Sequence, residues 1–282
     1  MSNSVRILSA FRDAAHRYPC VFADVWGVLH NGVRPYEFAV DMLAEYRAGG
    51  GVVVLITNSP RFWQAVAEQI DGIGVTRACW DRMATSGDLA QRQLTLRAGQ
   101  KMYHIGTDMA GVYFRTAHPR EAPLAEADFV YCTGLRDDLT EMVQDYRAEL
   151  EAIRARDLPF ICANPDLVVE RGERLVECAG SLALAYEQMG GDVFWAGKPH
   201  PPIYELAREL AEEAAGRRFE KKDILAVGDA IRTDIAGAVN FGVDSLMVTT
   251  GIHSGVFRGR AQAYVDAWFA RQAFQPTWLL PF

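Results

Sequence analysis

C-V-F-A-D-V-W-G-V-L-H-N-G, residues 20–32, is a short apolar run that ends on an acid, Asp24, and passes into a glycine-bearing turn. Apolar residues without alternation predict a buried strand rather than one with a wet face. A helix follows: Pro35 suits a first helical position, Phe38, Met42, Leu43 and Tyr46 recur on one side, and G-G-G at 49–51 breaks the pattern. Val52–Ile56 is the next compact strand and ends in T-N-S-P, where Ser59 is placed to cap a helix beginning at Pro60. Three further units of this kind lie near the C-terminus. Val193–Trp195 precedes G-K-P-H-P-P and a helix over about 202–215, Ile224–Val227 precedes G-D-A-I-R-T-D and a helix at A-G-A-V-N, and Ser245–Val248 precedes T-T-G-I-H. Strands that hand over repeatedly to helices predict an α/β fold, a Rossmann-like parallel-sheet core with helices on both faces.

Residues 79–189 interrupt that core with strands of their own at 101–105, 127–132 and 159–162 and helices near 84–98, 139–155 and 180–189. An insert of this length is large enough to be a separate domain. The expected organisation is a core at 1–78 and 190–282 with an inserted α/β domain at 79–189, and an amphipathic leading helix over 5–17.

The 282 residues, half of them apolar, suffice for one large or two moderate hydrophobic cores. With 29 Lys and Arg against 36 Asp and Glu, the net charge of −7 argues against a nucleic-acid surface and for small molecules or another protein as partners. Cys20, Cys79, Cys132, Cys162 and Cys178 are odd in number and irregularly spaced, which suggests neither a disulfide framework nor a zinc site and fits a reduced, cytoplasmic setting. His30, His104, His118, His200 and His253 show no zinc spacing either. No run approaches 18 apolar residues, so no membrane span is expected, and the start lacks a secretory cleavage pattern. The glycine-rich segments contain neither a dinucleotide fingerprint nor a Walker loop.

In an open parallel sheet, ligands gather outside the carboxyl ends of the strands. Asp24, Thr57 with Asn58, Lys198, and Asp229 with Asp234 all fall at such ends. Carboxylates make a hard oxygen site suited to Mg²⁺, while Thr, Lys and loop N–H groups suit the oxygens of a phosphate. The combination suits phosphoryl transfer, in which a metal ion screens repulsion between carboxylate and anionic substrate and a lysine balances developing charge. Each group also has a plainer role. Asp24 can end a strand, Asp229 can sit in a turn, Thr57 and Asn58 can lead into a helix, Lys198 can be a surface lysine and Asp234 can cap a helix.

The ordered set D-V-W-G-V-L-H-N-G (24–32), L-I-T-N-S-P-R (55–61), G-K-P-H-P-P-I-Y (197–204) and V-G-D-A-I-R-T-D-I-A-G-A (227–238) resembles the haloacid-dehalogenase-like hydrolase superfamily. The insert between the second and third motifs points to the branch with a large cap, which contains sugar, nucleotide, phosphoglycolate and pyridoxal phosphatases. A-D-F-V-Y-C-T-G-L (127–135), C-A-N-P-D (162–166) and A-G-S-L (179–182) resemble that cap. The resemblance implies a Mg²⁺-dependent phosphatase of a small phosphorylated metabolite. Asp24 is then the nucleophile that forms an aspartyl-phosphate; Asp24, the Trp26 carbonyl and Asp229 meet Mg²⁺, and Asp234 stands behind them. Thr57 and the Asn58 amide hold phosphoryl oxygens, Lys198 neutralises Asp24 and the transferring group, and the loops around Asn164–Asp166 and Gly180–Ser181 contribute from the cap. The resemblance also implies a homodimer supported by the cap. Tyr103, Tyr113, Phe114 and Tyr131 are either core residues or aromatic faces for a substrate ring.

One position departs from the branch. Its phosphatases carry a second Asp two residues after the nucleophile, an acid/base worth on the order of 10²–10⁴-fold. Here Trp26 stands there, and an indole N–H donates but relays no proton at neutral pH. Two readings follow: a phosphatase that relies on a good leaving group, a substrate group or another residue such as His30 or His200, or a phosphometabolite-binding or regulatory protein with weak turnover.

Overall fold

A computed structural model describes residues 4–107, 119–171, 174–250 and 255–281. Tyr113, Phe114, His118 and His253 lie outside them. The first segment runs β1 (Arg6–Ile7), α1 (Arg12–Ala15), β2 (Cys20–Asp24), α2 (Glu37–Ala48), β3 (Val52–Thr57), α3 (Trp63–Ile73) and β4 (Arg82–Thr85). The insert holds α4 (Ser86–Leu96), β5 (Lys101–Ile105), β6 (Arg120–Glu121), β7 (Phe129–Cys132), α5 (Arg147–Ala155), β8 (Phe160–Cys162), the antiparallel pair β9 (Val168–Arg171) and β10 (Arg174–Glu177), α6 (Ala179–Gln188) and β11 (Val193–Trp195). The last segment holds α7 (Pro201–Ala215), β12 (Ile224–Gly228), α8 (Ala236–Phe241), β13 (Asp244–Val248), α9 (Gln262–Phe269) and β14 (Trp278–Leu280).

The chain divides into two compact units: one from the chain up to Thr57, Gln64–Ala84 and the chain from Lys198 onward, the other from Asn58–Trp63 and Thr85–Gly197. The first unit is built on a seven-stranded sheet of order β1-β14-β13-β12-β2-β3-β4. The pairs from β1 through β3 in that order are parallel. Both faces are buried, which is why β2 and β3 read as unbroken apolar runs. Val21, Ala23, Val53, Leu55, Leu225 and Val227 join Leu43 of α2 and Val66 and Ile70 of α3 in one apolar cluster. Met247 and Leu279 belong to a second cluster with Ile231, Ile235, Val265 and Phe269. From β2 the chain moves outward through β3 to β4, whereas β12, β13 and β14 step away on the other side, so the order reverses between β2 and β12. That reversal is where such sheets hold ligands.

The second unit has its own parallel sheet, β11-β8-β7-β5-β6. Cys132, Phe160, Leu150, Ile153, Leu182 and Tyr186 pack its core, and Tyr131 is also buried, in keeping with the structural reading of that ring. Together the two units form the expected architecture, a Rossmann-like core interrupted by an inserted α/β cap.

Several local expectations are corrected. Val193–Trp195, expected with the core, pairs with Phe160–Cys162 in the insert, and Arg82–Thr85, expected in the insert, is an edge strand of the core sheet. The leading helix over 5–17 is not formed, because Arg6–Ile7 pairs with Trp278–Leu279 and leaves only Arg12–Ala15 helical. Pro35 is not the first helical residue: it bridges to His30, the Tyr36 N–H donates to the Leu29 carbonyl at 2.8 Å, and α2 starts at Glu37. Ser59 does not cap α3. Its hydroxyl accepts from Arg61 N–H at 3.3 Å, and the Trp63 N–H that opens α3 donates to the Asp88 carboxylate at 3.1 Å. All five cysteines are free and buried.

Candidate functional site

Parallel register aligns the carboxyl ends of the central strands. Ala23 stands opposite Leu55 on one side and Val227 on the other, so Asp24, Thr57 and Asp229 emerge at one edge of the sheet. Asp24, Asp229 and Asp234 each bring a carboxylate oxygen within 4.8 Å of the others. Lys198, just before α7, reaches into this group: its Nζ lies 2.5 Å from Asp24 Oδ1 and 2.7 Å from Asp234 Oδ1. All four side chains are buried or nearly so.

Close approach demands glycine at two of these turns. Gly27 has φ +83°, and a Cβ there would stand 2.4 Å from Asp229 Oδ2. A Cβ on Gly228 would stand 2.2 Å from the Cβ of Asp234. Asp234 lies in a π-type turn, Ile231–Ile235, that feeds α8. Its Oδ2 accepts from the Ala230 N–H at 3.1 Å while its Oδ1 takes Lys198, so it both closes the turn and faces the cluster.

Charge in this cluster is unbalanced. Burial first, then the Asp234 carboxylate, push the Asp24 carboxyl well above the usual range; Lys198 opposes them and Asp229 adds to them. Burial alone would lower the Lys198 ammonium, but Asp234 and Asp24 outweigh it and raise it. Three carboxylates against one ammonium leave negative charge that a small, hard cation would neutralise, and the donors are all oxygen. The residues therefore fit a divalent metal of the Mg²⁺ kind.

Tyr204 belongs to this environment and escaped the sequence reading. Its hydroxyl donates to the Asp234 carbonyl at 3.2 Å, and its ring sits where a Cβ on Gly237 would be 2.3 Å from the hydroxyl oxygen. The available signal was its place in the first turns of the helix after G-K-P.

Comparison with known proteins agrees with this geometry. A family model of haloacid dehalogenase-like hydrolases matches residues 21–118, and a HAD-hydrolase-like model matches 195–277. The chain is 30% identical over 279 residues to the D-glycerol 3-phosphate phosphatase of Mycobacterium tuberculosis, with 95% of this chain and 70% of that one covered. It is 28% identical over 278 residues to the ribonucleotide monophosphatase NagD of Escherichia coli, covering 93% and 95%. A crystal structure of a haloacid dehalogenase-like hydrolase from Brucella suis matches with a TM-score of 0.81 at 42% identity, covering 87% of this chain and 94% of that one. The chain belongs to the haloacid dehalogenase-like hydrolases. Its relatives place it among the capped phosphoric monoester hydrolases that act on small molecules. Among the described residues no helix is long and apolar enough to cross a membrane.

In this haloacid dehalogenase-like hydrolase the first loop carries Trp26 two residues after Asp24. Trp26 is 55% exposed, its ring set edge-on to His30 with centroids 5.2 Å apart, and Gly32 leaves room for it: a Cβ there would touch the indole at 2.4 Å. His30 is buried, which lowers its pKa, and its Nδ1 faces the Gly32 N–H at 2.8 Å. It braces the loop as a neutral ring. His200 stands at the N-cap of α7. Thr57 is buried at the end of β3, in the first unit with the acidic cluster. Asn58 and Asn164 fall in the second unit, where Asn164 Oδ1 accepts from the Asp166 N–H at 3.2 Å and Asn58 Nδ2 donates to Asp166. Gly180 and Ser181 serve packing there: the Ser181 hydroxyl donates to the Leu167 carbonyl at 2.7 Å.

Proposed function

We propose that the chain hydrolyses the phosphomonoester of a small metabolite with Mg²⁺, Asp24 acting as nucleophile. The observation that carries this reading is the meeting of Asp24, Asp229, Asp234 and Lys198 at the point where the strand order of a parallel sheet reverses. An Asp24 carboxylate oxygen attacks phosphorus, the bond from phosphorus to the ester oxygen breaks, and the leaving oxygen departs with the electron pair. Its proton comes from water or from the substrate, because Trp26 supplies none. Water then attacks the phosphorus of the aspartyl-phosphate, the bond to Asp24 breaks, and inorganic phosphate leaves. Lys198 balances charge on Asp24 and on the transferring group throughout. Thr57 and the Asn58 amide hold phosphoryl oxygens, and Asn164 offers its carboxamide to the substrate. Asp24, Asp229 and the Trp26 carbonyl would hold Mg²⁺, with Asp234 behind them; bound there, the ion screens the repulsion between Asp24 and the phosphate.

The names of the relatives make glycerol phosphates and ribonucleoside monophosphates the first substrates to try. The reading carries a cytoplasmic setting and a homodimer with it. Trp26 favours a second reading, a phosphometabolite-binding protein of weak turnover. Phosphate release from a panel of phosphometabolites, with and without Mg²⁺, separates the two. The phosphatase reading expects Mg²⁺-dependent release that Asp24→Asn abolishes; binding of a phosphometabolite without release, or full activity in Asp24→Asn, overturns it.

A further inference from the structure

The residue after Thr57 is gripped by the insert. Asn58 is 6% exposed, and its Nδ2 donates to the Asp166 carboxylate at 2.9 Å. Its Oδ1 lies toward Gly197 and Ser86: a Cβ on Gly197 would stand 2.5 Å from Asn58 Oδ1 and 2.3 Å from Ser86 Oγ. Any larger residue at 197 would press on the Ser86 hydroxyl and on the carboxamide together. The Ser86 hydroxyl beside it is fully buried and has no hydrogen-bond partner among the described residues.

Asp166 is itself immobilised. Its loop lies against the first turn of α6, where a Cβ on Gly180 would be 2.3 Å from the Pro165 carbonyl and 2.5 Å from that of Asp166. Next to it, the Leu167 carbonyl accepts from the Ser181 hydroxyl and from the Cys178 N–H at 2.9 Å. The first turn of α4 holds the other end of the segment 58–63: the Gly87 N–H donates to the Ser59 carbonyl at 3.1 Å, and a Cβ on Gly87 would be 2.3 Å from the Pro60 carbonyl. A carboxylate this near a residue meant to receive an anion opposes the anion, so its presence calls for a compensating role. Orienting a donor is one, since a hydrogen bond to a carboxylate is roughly twice as strong as a neutral one.

We propose that Asp166 is a positioning residue, whose carboxylate fixes the Asn58 carboxamide and through it the backbone amide that receives the phosphoryl group. The role rests on the phosphatase reading above. A donor misplaced by about 1 Å costs on the order of 10²-fold in rate.

The test is a double-mutant cycle on the full chain with Mg²⁺, reading kcat, KM, inhibition by inorganic phosphate and Tm. Asp166→Ala is expected to lower kcat/KM by about 10²-fold and to weaken phosphate inhibition by about tenfold or more, as for a loosened oxyanion donor. It should add nothing in an Asn58→Ala background. Asp166→Asn keeps an acceptor for Nδ2 and should restore both readouts to within about threefold of wild type, since the hydrogen bond survives in neutral form. Where Asp166→Ala does not fold, Asp166→Ser, one bond too short to reach Nδ2, carries the same expectation. Additive losses, an unaffected phosphate inhibition, or Asp166→Asn as damaging as Asp166→Ala would overturn this role in an active enzyme. A wild type that neither releases nor binds phosphate would instead overturn the phosphatase reading, and this role with it.

Discussion

Replacing Trp26 by Asp restores the carboxylate that the loop lacks, and the structure indicates that the loop will tolerate it. Trp26 is 55% exposed, so about 100 Å² of its surface is covered; at about 25 cal/mol per Å² that covering is worth about 2.5 kcal/mol, with about 1 kcal/mol more for the edge-on contact with His30. The loss stays below the roughly 5–15 kcal/mol of an ordinary domain. The backbone turn is also secured independently: the Gly27 N–H donates to the His30 carbonyl at 2.9 Å and the Thr250 hydroxyl to the Gly27 carbonyl at 2.5 Å. Trp26→Asp should therefore fold.

A positioned acid/base is worth on the order of 10²–10⁴-fold, but only where the leaving oxygen needs a proton. Aryl phosphates leave as stabilised phenolates and should gain less than about tenfold from the substitution, whereas alkyl phosphates should gain 10²-fold or more. In the wild type, the same reasoning makes turnover fall steeply as the pKa of the leaving alcohol rises, and Trp26→Asp should flatten that dependence. The assay is kcat for a series of aryl and alkyl esters at saturating Mg²⁺, with thermal unfolding followed in parallel. Rapid wild-type turnover of alkyl esters that is indifferent to leaving-group pKa, together with no gain in a folded Trp26→Asp protein, would refute the claim that the missing acid/base governs this site.

Three further outcomes are expected. Asp229→Asn removes one of three charged donors and should weaken Mg²⁺ binding by about tenfold or more in a calorimetric titration; unchanged affinity would remove Asp229 from the metal site. Burial pushes the Asp88 carboxyl up to about 6, against hydrogen bonds from Thr85 and the Trp63 N–H. A raised carboxyl binds its proton more tightly in the folded state, so its contribution is greatest below about pH 4 and falls by about 3 kcal/mol as pH rises through 6. Asp88→Asn keeps an acceptor for both donors and should be the more stable protein at pH 7 but equal to wild type near pH 4 in chemical denaturation; parallel pH profiles would contradict this. Finally, the five cysteines are buried, which raises Cys79 to about 11 and Cys132 to about 12, so a thiol reagent at neutral pH should titrate none in the native protein and five after denaturation. One thiol reacting within minutes would show a more open interior.

The acidic cluster was legible because its signal is local. Asp24, Thr57 and Asp229 each follow directly on an apolar strand, and parallel register alone then sets them side by side. Features that depend on a distant partner were not legible. The three residues Val193–Trp195 would look the same in either sheet, and only their pairing with Phe160–Cys162 assigns them to the insert. Arg6–Ile7 is a strand because residues 278–279 offer it an edge. Ser59 and Pro60 form a sound local start signal, yet Asp88, 25 residues beyond Trp63, supplies the acceptor that decides where α3 begins.

The same distinction separates the residues that touch the proposed reaction from those that hold them. A carboxylate reveals its chemistry when its type and its place after an apolar strand agree, so Asp24, Asp229 and Asp234 could be singled out before their geometry was known. A positioning group reveals nothing by type. Tyr204 reads as an apolar helix residue until its hydroxyl is found on the Asp234 carbonyl, and Asp166 reads as one residue of a contributing cap loop, with no stated role, until its carboxylate is found on Asn58, 108 positions earlier. Glycines are the sequence's trace of such approaches, because a Cβ at Gly27, Gly228 or Gly197 would collide with Asp229, Asp234 or Asn58. Each marks where a side chain from another segment must pass. Substituting alanine at Gly197 should thus disturb Asn58 from a distance in sequence, and its effect on phosphate affinity should resemble that of Asp166→Ala, because both would release the same carboxamide.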